Sequence, residues 1–412
     1  MAGASKVPVT YAPYICQMLM SDHPQPSSLY VHVPFCQSKC AYCDFNSYAG
    51  LERLQEPYVE ALLTEMGLRS ARPAGGARWP EPMLQTIYLG GGTPTALSAE
   101  LLARVLAACR AHWRVSPNAE ITVEANPGTL DQAKLATLLE QGLTRLSLGV
   151  QTFDDALLRQ LGRIHTAQEA IDSFHLARRA GVANINLDLI YGLPGASQEA
   201  WQAALDQALA LGPDHLSLYA LTLHDETPLA RSIAQGRAPA LDDDLAADMY
   251  LWAMETLAQA GYLHYEISNW ARFPAAICRH NLTYWLDLPY IGLGAGAHGY
   301  LDRRRYWNVA HPAGYIARLS QGREPAEEDE AIGRATEMSE TMLLGLRLME
   351  GVSYARFAER FGEDMRAIYR SEIDELARLG LLYADQEGIR LAPRGYLLGN
   401  DVFERFLLDE EG

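Results

Sequence analysis

This sequence has no run of about 18 uninterrupted apolar residues, the length that a membrane-spanning helix requires. Positive charge is also scarce, because 34 Lys and Arg stand against 51 Asp and Glu and the formal net charge is −17. That balance argues against a broad electrostatic surface for nucleic acid or for an anionic membrane. Cysteine is sparse as well, and Cys16, Cys109 and Cys278 are scattered. This usage is typical of a reducing compartment and not of a disulfide framework, so we expect a cytoplasmic protein.

The amino-terminal segment, 1–28, lacks the apolar core of a signal peptide and contains prolines and polar residues. It is therefore predicted to be a flexible extension, and Met1, Met18 and Met20 stay open as the start. The whole chain of 412 residues, 49% hydrophobic and 21% charged, has the composition of an ordinary globular protein with one large and one smaller domain.

The other three cysteines form a compact motif. Cys36, Cys40 and Cys43 have the spacing C-x3-C-x2-C and follow a predicted strand at 29–33. Three thiolates so close together suit a [4Fe–4S] cluster, which needs four ligands, so one iron is left open. Such an iron can chelate the amino and carboxylate groups of S-adenosylmethionine (SAM), which an electron from the cluster then cleaves. The alternatives are three buried thiols or a zinc site, although zinc usually needs a fourth ligand and a second paired motif.

Short β-rich segments alternate with helical patterns from residue 29 to about residue 220. Strands are predicted at 29–33, 86–89, 120–124, 145–150, 184–190 and 215–220, and helices at 58–68, 101–112, 131–141, 168–180 and 199–211. This alternation predicts an α/β fold with a parallel sheet, and the strand count favours a partial (β/α)6 TIM-like barrel. Functional groups in such barrels lie at the carboxyl ends of the strands, and each predicted strand ends in a polar or glycine cluster.

The remainder of the chain departs from this alternation. A polar break at 238–244 precedes a helical pattern at 245–260, and a charged segment at 320–329 is predicted to be a linker. Helices at 338–348, 354–361 and 364–379, a hairpin at 381–391 and a final helix at 393–407 predict a helical, winged-helix-like domain. We therefore expect the barrel at 29–237, a region that completes it at 238–320, and a carboxyl-terminal domain at 321–412.

Several polar residues at the predicted strand ends suit a zwitterionic nucleoside. The glycine run 90–92 directly follows a strand and lets backbone groups approach a ligand. Glu124 and Asp188 provide acceptors, and Gln151 and Arg163 add an amide and a cationic donor. Tyr30 and Ala220 join them as candidates, although each residue alone is more often an ordinary strand, cap or surface residue. Their joint placement favours a SAM pocket.

Six segments, at 30–36, 90–95, 122–128, 148–153, 161–165 and 186–194, resemble motifs of the oxygen-independent coproporphyrinogen III oxidase-like family of the radical SAM superfamily. The resemblance covers the chain from residue 30 nearly to its end. It implies a cluster on Cys36, Cys40 and Cys43. It also implies SAM contacts from Tyr30, Gly91, Gly92, Thr93, Glu124, Gln151, Arg163 and Asp188.

Two features separate the branches of this family. The oxidase has a further cysteine two residues after the third, where this chain has Phe45, which cannot replace a thiol. The segment 280–285, His-Asn-Leu-Thr-Tyr-Trp, resembles the H-N-x-x-Y-W haem-binding motif of the family's haem chaperones. A neutral imidazole is a common axial ligand of haem iron, and large aromatics offer it apolar surface. Without the resemblance a core histidine is the better interpretation; with it, we expect haem contact from His280, Asn281, Tyr284 and Trp285.

The resemblance thus implies a haem chaperone that delivers haem to apo-haemoproteins, including membrane-associated respiratory enzymes. The alternative is a radical SAM oxidoreductase acting on a porphyrin, either as a coproporphyrinogen III dehydrogenase or by degrading haem. A DNA-binding regulator that uses the terminal wing has little support from the acidic composition. His32, His165, His224 and His298 receive no role from the sequence.

Overall fold

The computed structural model describes residues 27–71 and 83–408. The predicted extension 1–28, with Cys16, Met18 and Met20, therefore lies outside the described residues except for its last two positions. No helix within the described ranges is both long enough and apolar enough to cross a bilayer.

Six parallel strands form the centre of the sheet and stand side by side in chain order. They are β1 (Ser28–Val33), β2 (Met83–Gly91), β3 (Arg114–Ala125), β4 (Arg145–Gln151), β5 (Asn184–Tyr191) and β6 (His215–Ala220). Each pairs with the next in parallel register. All six predicted strands are confirmed, and their carboxyl ends lie along one edge, as expected for a partial barrel.

Further strands extend the sheet on both sides. Beyond β6 lie β8 (Asn269–Ala271) and then β7 (Leu263–Glu266). On the other side β9 (Tyr290–Leu293) pairs in parallel with β1, followed by β10 (His298–Leu301), β11 (Arg304–Asn308) and β12 (Ala326–Ala331). The linker predicted at 320–329 is wrong in its second half, because the acidic residues there form the edge strand β12. Charged side chains on an edge strand discourage pairing with another sheet.

Helices connect and cover the central strands. They are α1 (Gln55–Ala71), α2 (Ala99–His112), α3 (Gln132–Glu140), α4 (Asp155–Gln160), α5 (Ala167–Ala180), α6 (Gln198–Leu211), α7 (Pro228–Ala234) and α8 (Asp243–Gln259). Polar caps fix where several begin: Ser98 accepts from the Leu101 amide, and Thr166 and Glu169 form a capping box. The helical pattern predicted at 245–260 is confirmed by α8, which buries Met249, Ala253 and Leu257.

The chain after α8 adds α9 (Arg279–Trp285) and α10 (Pro312–Ser320), and then a carboxyl-terminal part with its own hydrophobic core. That part contains α11 (Arg334–Gly345), β13 (Val352–Ser353), α12 (Tyr354–Phe361), α13 (Met365–Ile368), α14 (Arg370–Arg378), β14 (Leu382–Ala384), β15 (Gly388–Leu391), α15 (Pro393–Leu397) and α16 (Gly399–Glu404). The predicted hairpin is confirmed. The helices predicted at 364–379 and 393–407 are each broken in two, because Tyr369 and Leu398 leave helical geometry. The predicted domain boundaries stay predictions.

Candidate functional site

The cysteine loop follows β1 and is held by backbone hydrogen bonds to three neighbouring segments. Thr93 donates its amide to the Phe35 carbonyl at 2.8 Å. Ala41 donates to the Leu161 carbonyl at 2.9 Å, and Leu229 donates to the Ala41 carbonyl at 2.9 Å. The loop is therefore fixed by the chain after β2, by the end of α4 and by α7. Such support is what a metal-binding loop needs to keep its ligands in place.

All three thiols of the loop are free and half-buried. Cys36 Sγ lies 3.6 Å from Thr93 Oγ1, and Cys43 Sγ lies 3.8 Å from Ser47 Oγ. Burial raises the pKa of the Cys36 and Cys43 thiols. A coordinating metal deprotonates a thiol outright, so this burial does not oppose ligation. The donor set fits an iron–sulfur cluster.

The thiols do not form a ready mononuclear metal site. Within residues 27–71 and 83–408, no group of three or more His, Cys, Asp or Glu side chains is arranged to hold one metal ion. A cluster with four irons places each thiolate on a different iron, so its ligands need not converge on one point. The spread of the three sulfurs is therefore compatible with a cluster.

Arg163 links the cysteine loop to the ends of β3 and β4. Its Nη1 donates to Cys40 Sγ at 3.4 Å, and its Nη2 donates to Asn126 Oδ1 at 2.8 Å and to the Gly149 carbonyl at 2.5 Å. Its Nε is buried and has no hydrogen-bond partner in the described part of the chain. A guanidinium here supports negative charge on the thiol.

Glycine is required at two positions of the turn after β2. Gly91 has φ of +113°, and a Cβ there would lie 2.5 Å from Cε1 of His32. A Cβ on Gly92 would lie 2.8 Å from the Phe35 carbonyl oxygen and 3.1 Å from Cys36 Sγ. The backbone therefore approaches the cysteine loop more closely than any side chain would allow.

Two carboxylates lie near the carboxyl ends of β3 and β5, which flank β4, and are held by hydrogen bonds. Glu124 accepts from the Tyr88 hydroxyl at 2.7 Å and from the Gly91 amide at 3.1 Å. Asp188 accepts from Asn186 Nδ2 at 2.8 Å and from Ser147 Oγ at 3.1 Å. Burial raises the pKa of Glu124 to about 7, with a further contribution from the charge of Asp188, and burial also raises the pKa of Asp188. Such groups in a cleft are candidates for ligand binding.

Gln151 ends β4 in a strained conformation. Its φ is +70°, which is uncommon for a residue other than glycine. The pairing of β4 with β5 shifts register between Gly149 and Gln151. Strain of this kind persists where the surroundings enforce it and clusters at functional sites, which supports Gln151 as a site residue.

These groups line one cavity of about 460 Å³ at the carboxyl ends of the strands. The predicted residues in its wall are Cys36, Cys40, Cys43, Gly91, Gly92, Thr93, Glu124, Gln151, Arg163, Asp188 and Ala220. The volume lies in the range of small-molecule and cofactor pockets. The structure therefore brings together every predicted cluster and SAM residue except Tyr30.

Tyr30 stands apart from this wall. Its ring packs against Tyr88 with centroids 6.2 Å apart, and Tyr88 does line the cavity. The Tyr30 hydroxyl lies 3.0 Å from Nδ1 of His32. Direct contact between Tyr30 and SAM stays a prediction, whereas Tyr88 is a wall residue that the sequence reasoning missed.

His280 is a core residue in this fold and is 1% exposed. Its Nδ1 lies 2.7 Å from Thr86 Oγ1 and its Nε2 lies 2.9 Å from the Tyr284 hydroxyl. Its ring stacks on Tyr88 with centroids 5.0 Å apart. Burial, and then the charge of Arg145, lower the pKa of His280 to about 3. The imidazole is neutral, as an axial ligand must be, but both ring nitrogens are occupied, so iron could bind only by displacing a partner.

The segment 280–285 packs α9 against the barrel on the side away from the cysteine loop. Ser28, Thr86 and Glu120 stand side by side on β1, β2 and β3, well before the strand ends that carry the cysteine loop. Thr283 Oγ1 lies 2.7 Å from Ser28 Oγ, and the His280 amide donates to Glu120 Oε1 at 3.0 Å. None of His280, Asn281, Tyr284 and Trp285 lines the cysteine-bearing cavity. Haem contact by these four residues stays a prediction.

Sequence reasoning also missed Asn126 and Arg145. Asn126 donates to Thr93 Oγ1 at 2.9 Å and accepts from Arg163, so it joins the glycine turn to the guanidinium. Arg145 is 2% exposed inside the barrel, and its charge lowers the pKa of Glu124 and Asp188. Both could have been found from the sequence, because Asn126 follows a predicted strand and Arg145 is the one charged residue of the strand predicted at 145–150.

Two family models match the chain, the Radical SAM superfamily at residues 30–208 and the HemN C-terminal domain at residues 333–398. The solved coproporphyrinogen III oxidase (HemN) from Escherichia coli, a radical SAM enzyme, superposes with a TM-score of 0.81 at 23% identity. That alignment covers 96% of this chain and 92% of the oxidase. At this identity it shows the fold alone, and it confirms the predicted α/β radical SAM fold with a carboxyl-terminal helical domain.

Curated relatives are similar over almost their whole length. The chain is 38% identical to the heme chaperone HemW of Lactococcus lactis, covering 94% of this chain and 98% of the relative. It is 38% identical to HemW of Bacillus subtilis, covering 92% and 99%, and 37% identical to HemW of Escherichia coli, covering 93% and 99%. The chain therefore belongs to the HemW family of radical SAM proteins.

Proposed function

We propose that this chain is a haem chaperone that binds a [4Fe–4S] cluster, SAM and haem, and delivers haem to apo-haemoproteins. The observation that supports it most is a cavity that joins three thiols, a glycine turn and two carboxylates, in a chain whose relatives are named heme chaperones. We further infer from the cysteine usage that the protein works in the cytoplasm. From the resemblance we infer that its acceptors include respiratory enzymes.

Cys36, Cys40 and Cys43 would hold the cluster, which supplies an electron for reductive cleavage of SAM when both are bound. The other predicted site residues would bind and orient SAM. The close-packed turn at Gly91 and Gly92 exposes backbone groups beside the cluster. The carboxylates of Glu124 and Asp188 would accept hydrogen bonds from ligand hydroxyl groups, and the positive charge of Arg163 would attract a ligand carboxylate.

Phe45 favours a carrier over an oxidase. It lines the cavity and is 65% exposed, in the place where the oxidase has its further cysteine. No other cysteine within residues 27–71 and 83–408 lines this cavity. The second candidate is a radical SAM oxidoreductase acting on a porphyrin, and the cavity that gathers the predicted cluster and SAM residues supports that function equally.

Anaerobic incubation of the reconstituted protein separates the two functions. The cluster-loaded protein would receive SAM, an electron donor and coproporphyrinogen III, and the porphyrins would be separated by chromatography. We expect no protoporphyrinogen IX above the level of a Cys40→Ala control, which lacks one cluster ligand. Sustained turnover that the control does not show would replace the carrier proposal with the enzyme.

A further inference from the structure

We propose that haem binds at the mouth of the cysteine-lined cavity, with His224 as an axial ligand of its iron and Phe45 as an apolar contact for the macrocycle. The inference rests on the proposed function, because it assumes that the protein binds haem. It moves the haem site from α9 to the carboxyl end of the barrel, next to the cysteine loop.

Two buried histidines near the barrel, His280 and His32, cannot coordinate iron without losing a hydrogen bond. His280 is fixed by Thr86 and Tyr284, as described above. His32 is 6% exposed, and its ring nitrogens lie 3.0 Å from the Tyr30 hydroxyl and 2.9 Å from the Asn46 carbonyl oxygen. Two satisfied ring nitrogens in the interior mark a structural histidine.

His165 is no better placed. It is 4% exposed, and its Nε2 lies 3.2 Å from the Val150 carbonyl oxygen. Its Nδ1 has no hydrogen-bond partner among the described residues but has no solvent access either, so a macrocycle as large as haem has no route to it. Access, and not merely a free nitrogen, decides which histidine can bind haem.

His224 combines access with a free nitrogen. Its side chain is 50% exposed, and it lines the same cavity as the three cysteines. Its Nε2 lies 3.0 Å from Asp44 Oδ2, and its Nδ1 has no hydrogen bond within the described residues. A metal-ligating histidine commonly uses its second nitrogen to bind a carboxylate, which fixes ring orientation and basicity. An exposed His–Asp pair contributes little to stability, so its geometry suits ligation better than support of the fold.

The backbone around His224 is also held in place. Thr227 donates to the His224 carbonyl from its amide at 2.8 Å and from its hydroxyl at 2.7 Å. Two residues later, Leu229 donates its amide to Ala41 of the cysteine loop. The imidazole therefore belongs to a segment that is tied to the cysteine loop twice, by the Leu229 amide and by the contact of the imidazole with Asp44.

Phe45 provides the apolar surface that a tetrapyrrole needs. Lys39 Nζ donates to the carbonyls of Phe45 and Ser47, each at 3.1 Å, so the backbone beneath the ring is fixed. Tyr219, 42% exposed, lines the same cavity. Single exposed aromatics are ordinary, but two of them in the wall that contains an accessible imidazole match the demands of a flat apolar ring with a central metal.

Anaerobic titration with ferric haem tests the site. His224→Ala should shift the Soret band and raise the Kd about tenfold or more, and added imidazole should restore the wild-type spectrum. Phe45→Ala should raise the Kd with an unchanged spectrum, because it removes contact and not ligation. The matched control is His298→Ala, which removes an exposed imidazole that stacks on Trp307 outside this cavity and should change neither quantity.

A wild-type spectrum and Kd in His224→Ala would overturn the inference, as would a spectral change in His298→Ala alone. Thermal unfolding of each variant confirms that the fold is kept, and both substituted histidines are exposed, so little loss is expected. Failure of the wild type to bind haem would instead refute the proposed function. The two failures are therefore distinguishable.

Discussion

Replacement of Gly91 by alanine is expected to destabilise the fold and to disturb the SAM site together. Gly91 has φ of +113°, a conformation that side chains other than hydrogen rarely adopt. The new Cβ would stand 2.5 Å from Cε1 of His32 and 2.7 Å from its Nδ1. The imidazole cannot retreat freely, because its nitrogens are held by Tyr30 and the Asn46 carbonyl.

Two terms set the size of the effect. Backbone strain at a positive φ costs about 1–3 kcal/mol. Overpacking against the fixed ring costs about 1–3 kcal/mol more. The sum of about 2–6 kcal/mol is a large share of the ~5–15 kcal/mol that stabilises a typical native protein. Any shift of the turn that relieves the overlap also breaks the hydrogen bond from the Gly91 amide to Glu124.

Urea denaturation of the cofactor-free protein measures this loss. Gly128→Ala is the matched control, because Gly128 has φ of +84° and a Cβ added there would meet no atom within 4 Å. The free energy of unfolding of Gly128→Ala should therefore fall only by the backbone strain of about 1–3 kcal/mol, and its SAM affinity should be unchanged. Equal unfolding free energies and equal SAM affinities for the two variants would refute the close-packing argument for the turn.

Four further outcomes are expected. Cys40→Ala should lose the cluster absorption after anaerobic reconstitution while Cys109→Ala, a buried thiol of α2, loads normally; equal iron and sulfide in both would contradict the cluster assignment. Asp188→Ala should weaken SAM binding in calorimetry at unchanged iron content, and an unaltered Kd would place the pocket elsewhere. The pKa of Glu124 is raised to about 7, so SAM affinity should increase as pH rises through this value and the accepting carboxylate forms. Between the ordinary glutamate pKa of 4.5 and about 7, the folded protein keeps a proton on Glu124 that the unfolded chain has lost. The free energy of unfolding of the cofactor-free protein should therefore fall as pH rises across this range. Glu124→Gln should remove the pH dependence of the SAM affinity and that of the unfolding free energy. A wild-type SAM affinity that does not change with pH would exclude Glu124 as a ligand.

The sequence predicted the central architecture because its signals are local. The alternation of apolar strands with amphipathic helices is visible in short segments of the sequence and indicates a parallel sheet. All six strands lie where they were expected. The cysteine spacing and the glycine run are also local, and both face one cavity. Edge strand β12 was missed because its acidic residues look like a solvated linker and pair only through β11.

The environment of His280 could not be predicted, because it depends on distant residues. Its Nδ1 partner, Thr86, lies 194 residues away in the chain. The pairing of Asp44 with His224 likewise joins two loops that only the folded sheet brings together. A motif shows which residue types are present, but the hydrogen bonds of the fold decide whether an imidazole is free to bind a metal.

The fate of haem tests the central proposal most directly. Cluster-loaded protein carrying haem would be mixed anaerobically with SAM, an electron donor and an apo-haemoprotein, and every tetrapyrrole would be recovered and identified by chromatography and mass spectrometry. A chaperone predicts intact haem in the acceptor, and the transfer should exceed that from free haem at the same concentration. Accumulation of a modified tetrapyrrole over many turnovers would contradict the proposal and identify an enzyme.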